Sequence, residues 1–207
     1  MTKARKQVGF LGGTFDPIHI GHLHLALEAK EHFGLDEVLF CPSYCSPFKQ
    51  QEVAIASPEE RLAMTKLAVE GIHGCTVVDY EIKLHKVSYT VDTLKYLKKT
   101  FPEQEFFLIL GEDHSKTFMQ WKDPLEIMKI APVRVGSREG SFNSYDVPVE
   151  YRKTFQEGFF TIHNLEISST YLRERLRKKL YCHHLIPPKV VDYIQSRRLY
   201  STHSSSS

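Results

Sequence analysis

The chain has 207 residues, of which 42% are hydrophobic and 25% charged, a composition typical of a soluble globular protein with one core. Its formal net charge of +2 is too mild for a protein that wraps nucleic acid, and no apolar run is long enough for a signal peptide or a membrane span. Cys41 and Cys45 lack the second cysteine pair or nearby histidine that would complete a zinc site, so we expect the four cysteines to be free thiols and the protein to be cytoplasmic.

Apolar runs and helix-period segments alternate along the chain. The runs predict strands at 8–11, 37–41, 76–79, 105–110, 132–136 and 159–162. The periodic segments predict helices at 19–33, 57–70, 89–99, 122–130, 171–180 and 187–196. Residues 81–84 either continue the third strand or follow it, and 137–157 are left unassigned. This alternation predicts an α/β fold, a Rossmann-like open parallel sheet with helices on both faces.

We expect one domain over residues 1–200, with a helical C-terminal part from about 168. The low-complexity tail at 201–207 is expected to be disordered.

The segment GGTFDPIHIGH, residues 12–22, directly follows the first predicted strand. Gly12 and Gly13 suggest a turn that lets a ligand approach the backbone, and the next helix start adds partial positive charge. His19 and His22 are three residues apart, which places both imidazoles on one helix face. Two imidazoles beside a phosphate can stabilise the charge of a five-coordinate transition state. The pattern matches neither GxGxxG nor GxxxxGK[ST], which argues against a dehydrogenase and a P-loop kinase.

Simpler explanations exist for each part of this segment. Two glycines can form a plain turn, and a histidine at a helix start can be a cap or a surface residue. A zinc site would need Asp16 or His24 as its third ligand. The position of this segment after a predicted strand favours phosphate binding over these explanations, because ligands of open parallel sheets bind beyond the carboxyl ends of the strands. The segments 12–22, 111–113 and 168–173 all follow predicted strands and are expected to meet at that edge.

GGTFDPIHIGH resembles the HxGH signature of a nucleotidyltransferase superfamily, and ISSTYLR at 167–173 resembles its second signature, ISSTxxR. Further segments are similar to bacterial nicotinate-mononucleotide adenylyltransferases: SYTVDTL at 88–94, FLILGEDHSKTFMQW at 107–121, REG at 138–140 and the C-terminal pattern from 185 to 200. The resemblance covers residues 7–200. It implies a nucleotidyltransferase that joins AMP from ATP to nicotinate mononucleotide in NAD biosynthesis and releases pyrophosphate. Neither nucleic acid nor a membrane is implied as a partner.

The resemblance also implies roles for single residues. It implies ATP binding by Gly12, Gly13, Thr14, Phe15, His19, His22, Gly111, Asp113, Ser168, Ser169, Thr170 and Arg173. It implies catalysis by His19, His22, Arg173 and Lys49, and acceptor binding by Thr90, Trp121, Arg138 and Lys49. Mg²⁺ is expected with the triphosphate without a certain protein ligand, although Asp16 could act through water. The family's second loop usually ends in Pro-His-Lys or Pro-His-Arg, whereas this chain has Phe48 before Lys49.

Two other functions stay open at this point. An adenylyltransferase for nicotinamide mononucleotide or phosphopantetheine is the nearest rival, although a pantetheine enzyme would be shorter and would lack the 88–94 and Trp121 segments. A catalytically silent nucleotide-binding protein of this fold is the other, against which the intact His19, His22 and Arg173 argue. The oligomeric state is also open, with a homo-oligomer as one outcome.

Overall fold

The structure is a computed structural model that describes residues 5–47, 54–137, 147–163 and 165–201. Six strands of these residues form one sheet in which every neighbouring pair is parallel, in the order β3-β2-β1-β4-β5-β6. They are β1 (Gln7–Gly13), β2 (Glu37–Pro42), β3 (Cys75–Val77), β4 (Glu105–Gly111), β5 (Val133–Ser137) and β6 (Phe159–Thr161). The predicted Rossmann-like open parallel sheet is therefore confirmed.

Helices cover both faces of the sheet. The described residues form α1 (Ile20–His32), α2 (Pro58–Val69), α3 (Tyr80–Leu84), α4 (Thr90–Thr100), α5 (Glu112–Thr117), α6 (Pro124–Ile130), α7 (Val149–Gln156), α8 (Ser169–Arg177) and α9 (Pro188–Ser196). One buried apolar cluster contains side chains of α1, α2, α8 and α9, and a second contains those of α4, α6 and α7. Within the described ranges, every helix is too short or too polar to cross a membrane.

Strands β1 and β4 separate at their carboxyl ends. The β1–β2 pairing continues to Gly13 opposite Pro42, and the β4–β5 pairing continues to Gly111. Between β1 and β4, however, the pairing ends at Phe10 opposite Leu108. The order of the strands reverses at this same pair, and a crevice at such a reversal is the usual ligand site of open α/β sheets.

The two glycines of GGTFDPIHIGH do not form the turn that the sequence suggests. Both lie in β1 without positive φ, and the left-handed residue is Phe15, with φ 51°. Gly13 is required for packing instead, because a Cβ there would lie 2.7 Å from the Phe15 ring. The missing side chain lets this buried ring fold back over the end of β1.

Three helices differ from the sequence prediction. Residues 81–84 are helical in α3 and do not continue the third strand. The sequence did not predict this helix, because EIKL alternates polar and apolar residues over too few positions for a helical period to show. Helix α5 directly follows β4 and has no apolar residue in EDHSKT. Helix α7 lies in the unassigned region 137–157 and buries only Phe155. Neither sequence displays the apolar stripe by which amphipathic helices are recognised.

Candidate active site

The loop between β1 and α1 is anchored by the carboxylate of Asp16, which is 4% exposed. It accepts hydrogen bonds from the backbone N–H groups of Ile55 at 2.8 Å and Ala56 at 3.1 Å. It also accepts one from the hydroxyl of Tyr200 at 2.7 Å. Asp16 therefore joins three parts of the chain that are distant in sequence, and its oxygens are used in holding the loop.

A buried arginine that the sequence analysis did not select supports the same loop. The guanidinium of Arg61 donates to the carbonyl oxygens of Thr14 at 2.7 Å, Ser43 at 2.6 Å, Tyr44 at 2.9 Å and Ala56 at 3.3 Å. Burial lowers the pKa of Arg61, an effect that a nearby carboxylate opposes. One cation thus fastens the segments that follow β1 and β2.

The sequence did contain a signal for this arginine. Arg61 is at the same helical face of α2 as Met64, Thr65 and Ala68, all of which are buried. A charged residue in a core position of an amphipathic helix indicates a buried polar role, because such a charge is costly unless it is satisfied.

His22 is oriented by two neighbours. Its Nδ1 accepts a hydrogen bond from the backbone N–H of His19 at 3.2 Å. The ring of Phe15 meets it edge-on, with 5.0 Å between ring centroids. Since Nδ1 is the acceptor, the neutral ring carries its proton on Nε2. The fold therefore selects the tautomer that donates from the far side of the ring.

His19 is the more buried member of the pair, at 5% exposure, and its ring centroid lies 3.8 Å from that of His22. Its Nδ1 is buried without a hydrogen-bond partner among the described residues. Burial lowers the pKa of His19 to about 4, so the ring is neutral at pH 7. A neutral ring can form hydrogen bonds but adds no positive charge.

The second signature segment contacts the first directly. The hydroxyl of Ser169 donates to the carbonyl of Pro17 at 3.0 Å, 152 residues away in sequence. Nη1 of Arg173 donates to the carbonyl of Asp16 at 2.8 Å and lies 3.9 Å from its carboxylate. The structure therefore brings together the two segments that the sequence paired.

The start of α8 is built as a capped helix N-terminus. The hydroxyl of Ser168 accepts from the backbone N–H of Tyr171 at 3.2 Å. The hydroxyl of Thr170 accepts from Nη2 of Arg173 at 3.1 Å. Both bonds lie within the first turn of α8, whereas the Ser169 hydroxyl holds α8 against the loop. What α8 can offer an anion is its N-terminal dipole and the cation of Arg173.

The acceptor candidates Thr90 and Trp121 belong to neighbouring segments. Thr90 begins α4, and Trp121 is half-buried beside Phe118 and the second core cluster. Nζ of Lys122 lies 4.5 Å from the ring centroid of Tyr89 and 3.1 Å from the carboxylate of Asp92. Because Tyr89 and Asp92 flank Thr90, the Trp121 segment rests against the start of α4.

The structure says less about the remaining predicted site residues. Gly111 ends β4 and caps α5, and Asp113 is exposed in the first turn of α5. Lys49, with Phe48 before it, and Arg138 lie outside the described residues. Over the described ranges, no group of three His, Cys, Asp or Glu side chains is arranged to hold a metal ion.

Similarity to known proteins agrees with this geometry. Residues 10–175 match the family model described as cytidylyltransferase-like. A probable nicotinate-nucleotide adenylyltransferase of Aquifex aeolicus is 42% identical over 164 residues, covering 77% of this chain and 96% of the relative. The chain belongs to the nicotinate-nucleotide adenylyltransferase family. Another member, from Clostridium perfringens, is 38% identical over 201 residues, covering 94% of this chain and 98% of the relative.

Solved structures of the nicotinate-nucleotide adenylyltransferase type share the fold. The nicotinic acid mononucleotide adenylyltransferase of Plasmodium falciparum, complexed with APC, superposes with a TM-score of 0.71 at 21% identity. The same enzyme complexed with NaAD gives 0.71 at 20% identity. Each alignment covers 94% of this chain and 97% of that structure. At such low identity these structures establish the architecture, and the site residues are argued from this chain.

Proposed function

We propose that the protein transfers AMP from ATP to nicotinate mononucleotide, giving nicotinate adenine dinucleotide and pyrophosphate. The observation that carries this proposal is the docking of Ser169 and Arg173 onto the loop that leads into α1, at whose start His19 and His22 lie. This docking supports a site at which the starts of α1 and α8, an arginine and two imidazoles act on one ligand. Such a set of donors suits a polyphosphate more than any other common ligand.

The reaction needs positioning and charge stabilisation. A phosphate oxygen of the acceptor attacks the α-phosphorus of ATP in line. The bond from this phosphorus to the oxygen bridging to the β-phosphate breaks, and pyrophosphate leaves with that oxygen. Nε2–H of His22 donates to a non-bridging α-phosphate oxygen, whose charge grows in the transition state. Arg173 and the start of α8 balance the leaving pyrophosphate. No covalent intermediate with the enzyme is required.

Magnesium enters as part of the ATP substrate. The carboxylate of Asp16 already accepts bonds from Ile55, Ala56 and Tyr200. Mg²⁺ commonly retains water and takes its ligands from substrate phosphates. This chemistry fits a loop that supplies donors, and any contribution of Asp16 would pass through water.

The acceptor site lies at the start of α4. The aromatic face of Trp121 suits a pyridine ring, while Thr90 and the first N–H groups of α4 suit its carboxylate. The carboxamide group of the amide mononucleotide has no negative charge for this helix start to attract, which favours the acid. Arg138 for the acceptor phosphate and Lys49 for the phosphates remain predictions, as do a cytoplasmic location and a homo-oligomer.

Incubating the protein with MgATP and an equimolar mixture of the acid and amide mononucleotides tests the proposal. Mass spectrometry should identify the acid dinucleotide as the main product, together with pyrophosphate. Formation of the amide dinucleotide as the main product, or of neither dinucleotide, would contradict it.

A variant pair tests the role of His22 in the same assay. His22→Ala should lower kcat by about a hundredfold or more, as the loss of one fixed transition-state donor does. His24→Ala is the control, because His24 lies on the same helix and binds the carbonyl of His163 at 2.9 Å. Equal rates for both variants would remove His22 from its proposed role.

A further inference from the structure

A buried carboxyl group lies behind the proposed acceptor site. Glu81 of α3 is 5% exposed. Its Oε1 accepts a hydrogen bond from the hydroxyl of Thr93 at 2.6 Å, and the side chains of Ser88 and Cys41 lie close enough to affect its pKa. None of these groups has a part in the phosphate chemistry described above, so the cluster needs a separate explanation.

The cluster joins three segments of the fold. Cys41 lies near the carboxyl end of β2, and Thr93 is in the first turns of α4. Ser88 continues the connection, since its hydroxyl accepts from the backbone N–H of Tyr44 at 3.0 Å. Its own N–H donates to the carbonyl of Cys45 at 2.9 Å. Glu81 thus fixes the start of α4 relative to the loop after β2.

Thr90 lies between two residues that neighbour Glu81. Thr93, three positions after it, bonds to the carboxyl group, and Ser88, two positions before it, lies beside that group and bonds to the loop after β2. Buried networks of this kind fix geometry more than they add stability, because apolar side chains of similar size would stabilise a core at least as well. The cluster therefore points to a need for exact placement at the start of α4.

The burial of Glu81 also affects its protonation. Burial raises the pKa of Glu81, while the bonds from Thr93, Ser88 and Cys41 oppose this rise. A raised pKa widens the pH range in which this carboxyl group is uncharged.

We propose that Glu81 is a positioning residue for the acceptor, holding Ser88 and Thr93 so that the start of α4 selects a pyridine carboxylate over the amide. This inference rests on the proposed function, because it names a residue that adjusts the same site. Glu81 itself touches neither substrate.

A matched pair of isosteric variants tests this inference. Thr93→Val removes the hydroxyl that bonds to Glu81. Thr65→Val removes an equally buried hydroxyl, which donates to the carbonyl of Arg61 within its own helix at 2.7 Å. Thr93→Val should raise KM for nicotinate mononucleotide by about fivefold, the effect of one lost hydrogen bond, and leave KM for ATP unchanged. Thr65→Val should change neither constant.

Variants of Glu81 separate positioning from mere core filling. Glu81→Gln keeps a polar group of the same shape and should retain the wild-type preference for the acid over the amide. Glu81→Leu should reduce that preference while KM for ATP stays constant. If Glu81→Leu fails to fold in a circular dichroism check, the comparison of Thr93→Val with Thr65→Val decides.

The outcomes distinguish the two proposals. A wild-type protein that does not adenylylate nicotinate mononucleotide overturns the proposed function and this inference with it. A wild-type protein that does so, with Thr93→Val shifting both KM values equally or neither, overturns the inference alone.

Discussion

At the scale of single residues, the surroundings of each imidazole determine what it can do. His22 is fixed by a bond from the backbone of His19 and by the edge of Phe15, so that its proton is on Nε2. His19 is buried and uncharged. Two residues of one signature therefore have different surroundings. In the proposed reaction, His22 donates to a phosphate oxygen, whereas His19 contributes its backbone N–H to the bond that orients His22.

The burial of His19 predicts a pH dependence of stability. The unfolded ring takes up a proton below its ordinary pKa of 6.5, but the folded ring does so only near pKa 4. The contribution of the neutral His19 ring to the free energy of unfolding is therefore complete above pH 6.5 and is lost as the pH falls from 6.5 to 4. This contribution is about 3 kcal/mol.

Urea unfolding between pH 4 and pH 7 measures this loss. The wild type should lose about 3 kcal/mol more over this range than His19→Gln, which has no titrating ring. His73→Gln removes an exposed ring and should follow the wild-type curve. Parallel curves for the wild type and His19→Gln would contradict the inferred desolvation of His19.

The sequence analysis selected the two segments whose motifs can be read locally. The HxGH and SSTxxR segments stand out in the sequence, and the contact of Arg173 with the Asp16 carbonyl brings them together. Arg61 and Glu81 were missed because their partners are backbone carbonyls or side chains from other segments. The helical spacing of α2 places Arg61 among buried residues, but it does not show which groups Arg61 bonds to.

At the scale of elements, helix α2 acts as a support for two loops. Arg61 is buried beneath them and donates to carbonyl oxygens that follow β1 and β2. The geometry suits a planar group with several donors pointing in fixed directions, which is a property of arginine and not of lysine. The shape of the loop that is proposed to bind phosphate thus depends on a helix that contributes no proposed substrate contact.

Substitution of Arg61 tests this dependence. Arg61→Met leaves buried carbonyl oxygens without donors and should lower the free energy of unfolding by about 3 kcal/mol or more. Arg61→Lys should be more stable than Arg61→Met, but it should raise KM for ATP above the wild-type value, because one ammonium cannot reach all four carbonyl groups. Urea unfolding and initial rates measure both effects. Lys66→Met, at an exposed position of α2, is the control, and a wild-type KM for Arg61→Lys would refute the supporting role.

The elements themselves were predictable in proportion to their apolar content. Strand β4 reads as a continuous apolar run because a parallel strand is covered on both faces. Helix α5 carries only polar residues and takes its start from Gly111 at the end of that strand. Such a helix is set by tertiary placement, so its sequence alone could not reveal it.

At the scale of the whole molecule, the C-terminal segment completes the site. The hydroxyl of Tyr200 bonds to Asp16 across 184 residues of sequence. The carbonyl of Leu185 accepts from the N–H of Ile20, the first residue of α1, at 3.0 Å. Helix α9 shares the core cluster that contains α1 and α2. Segments near both ends of the chain therefore shape the loop that carries the histidines.

The bond between Tyr200 and Asp16 allows a direct test of this long-range connection. Burial raises the pKa of Tyr200 well above its ordinary value, so the phenol stays a donor. Tyr200→Phe keeps the buried ring but leaves the Asp16 carboxylate with one donor fewer. The expected loss is about 1–3 kcal/mol of unfolding free energy, together with a higher KM for ATP as the loop loosens.

Tyr193→Phe is the matched control, because the Tyr193 hydroxyl of α9 makes no hydrogen bond to the described residues and its ring contact with Arg197 survives the change. Urea unfolding and ATP titration of both variants separate a role in folding alone from a role in holding the binding geometry. If Tyr200→Phe lost stability but kept its KM for ATP, the C-terminal segment would contribute only to folding. A higher KM in Tyr200→Phe alone would mean that the loop around Asp16 needs the end of the chain to hold its binding geometry.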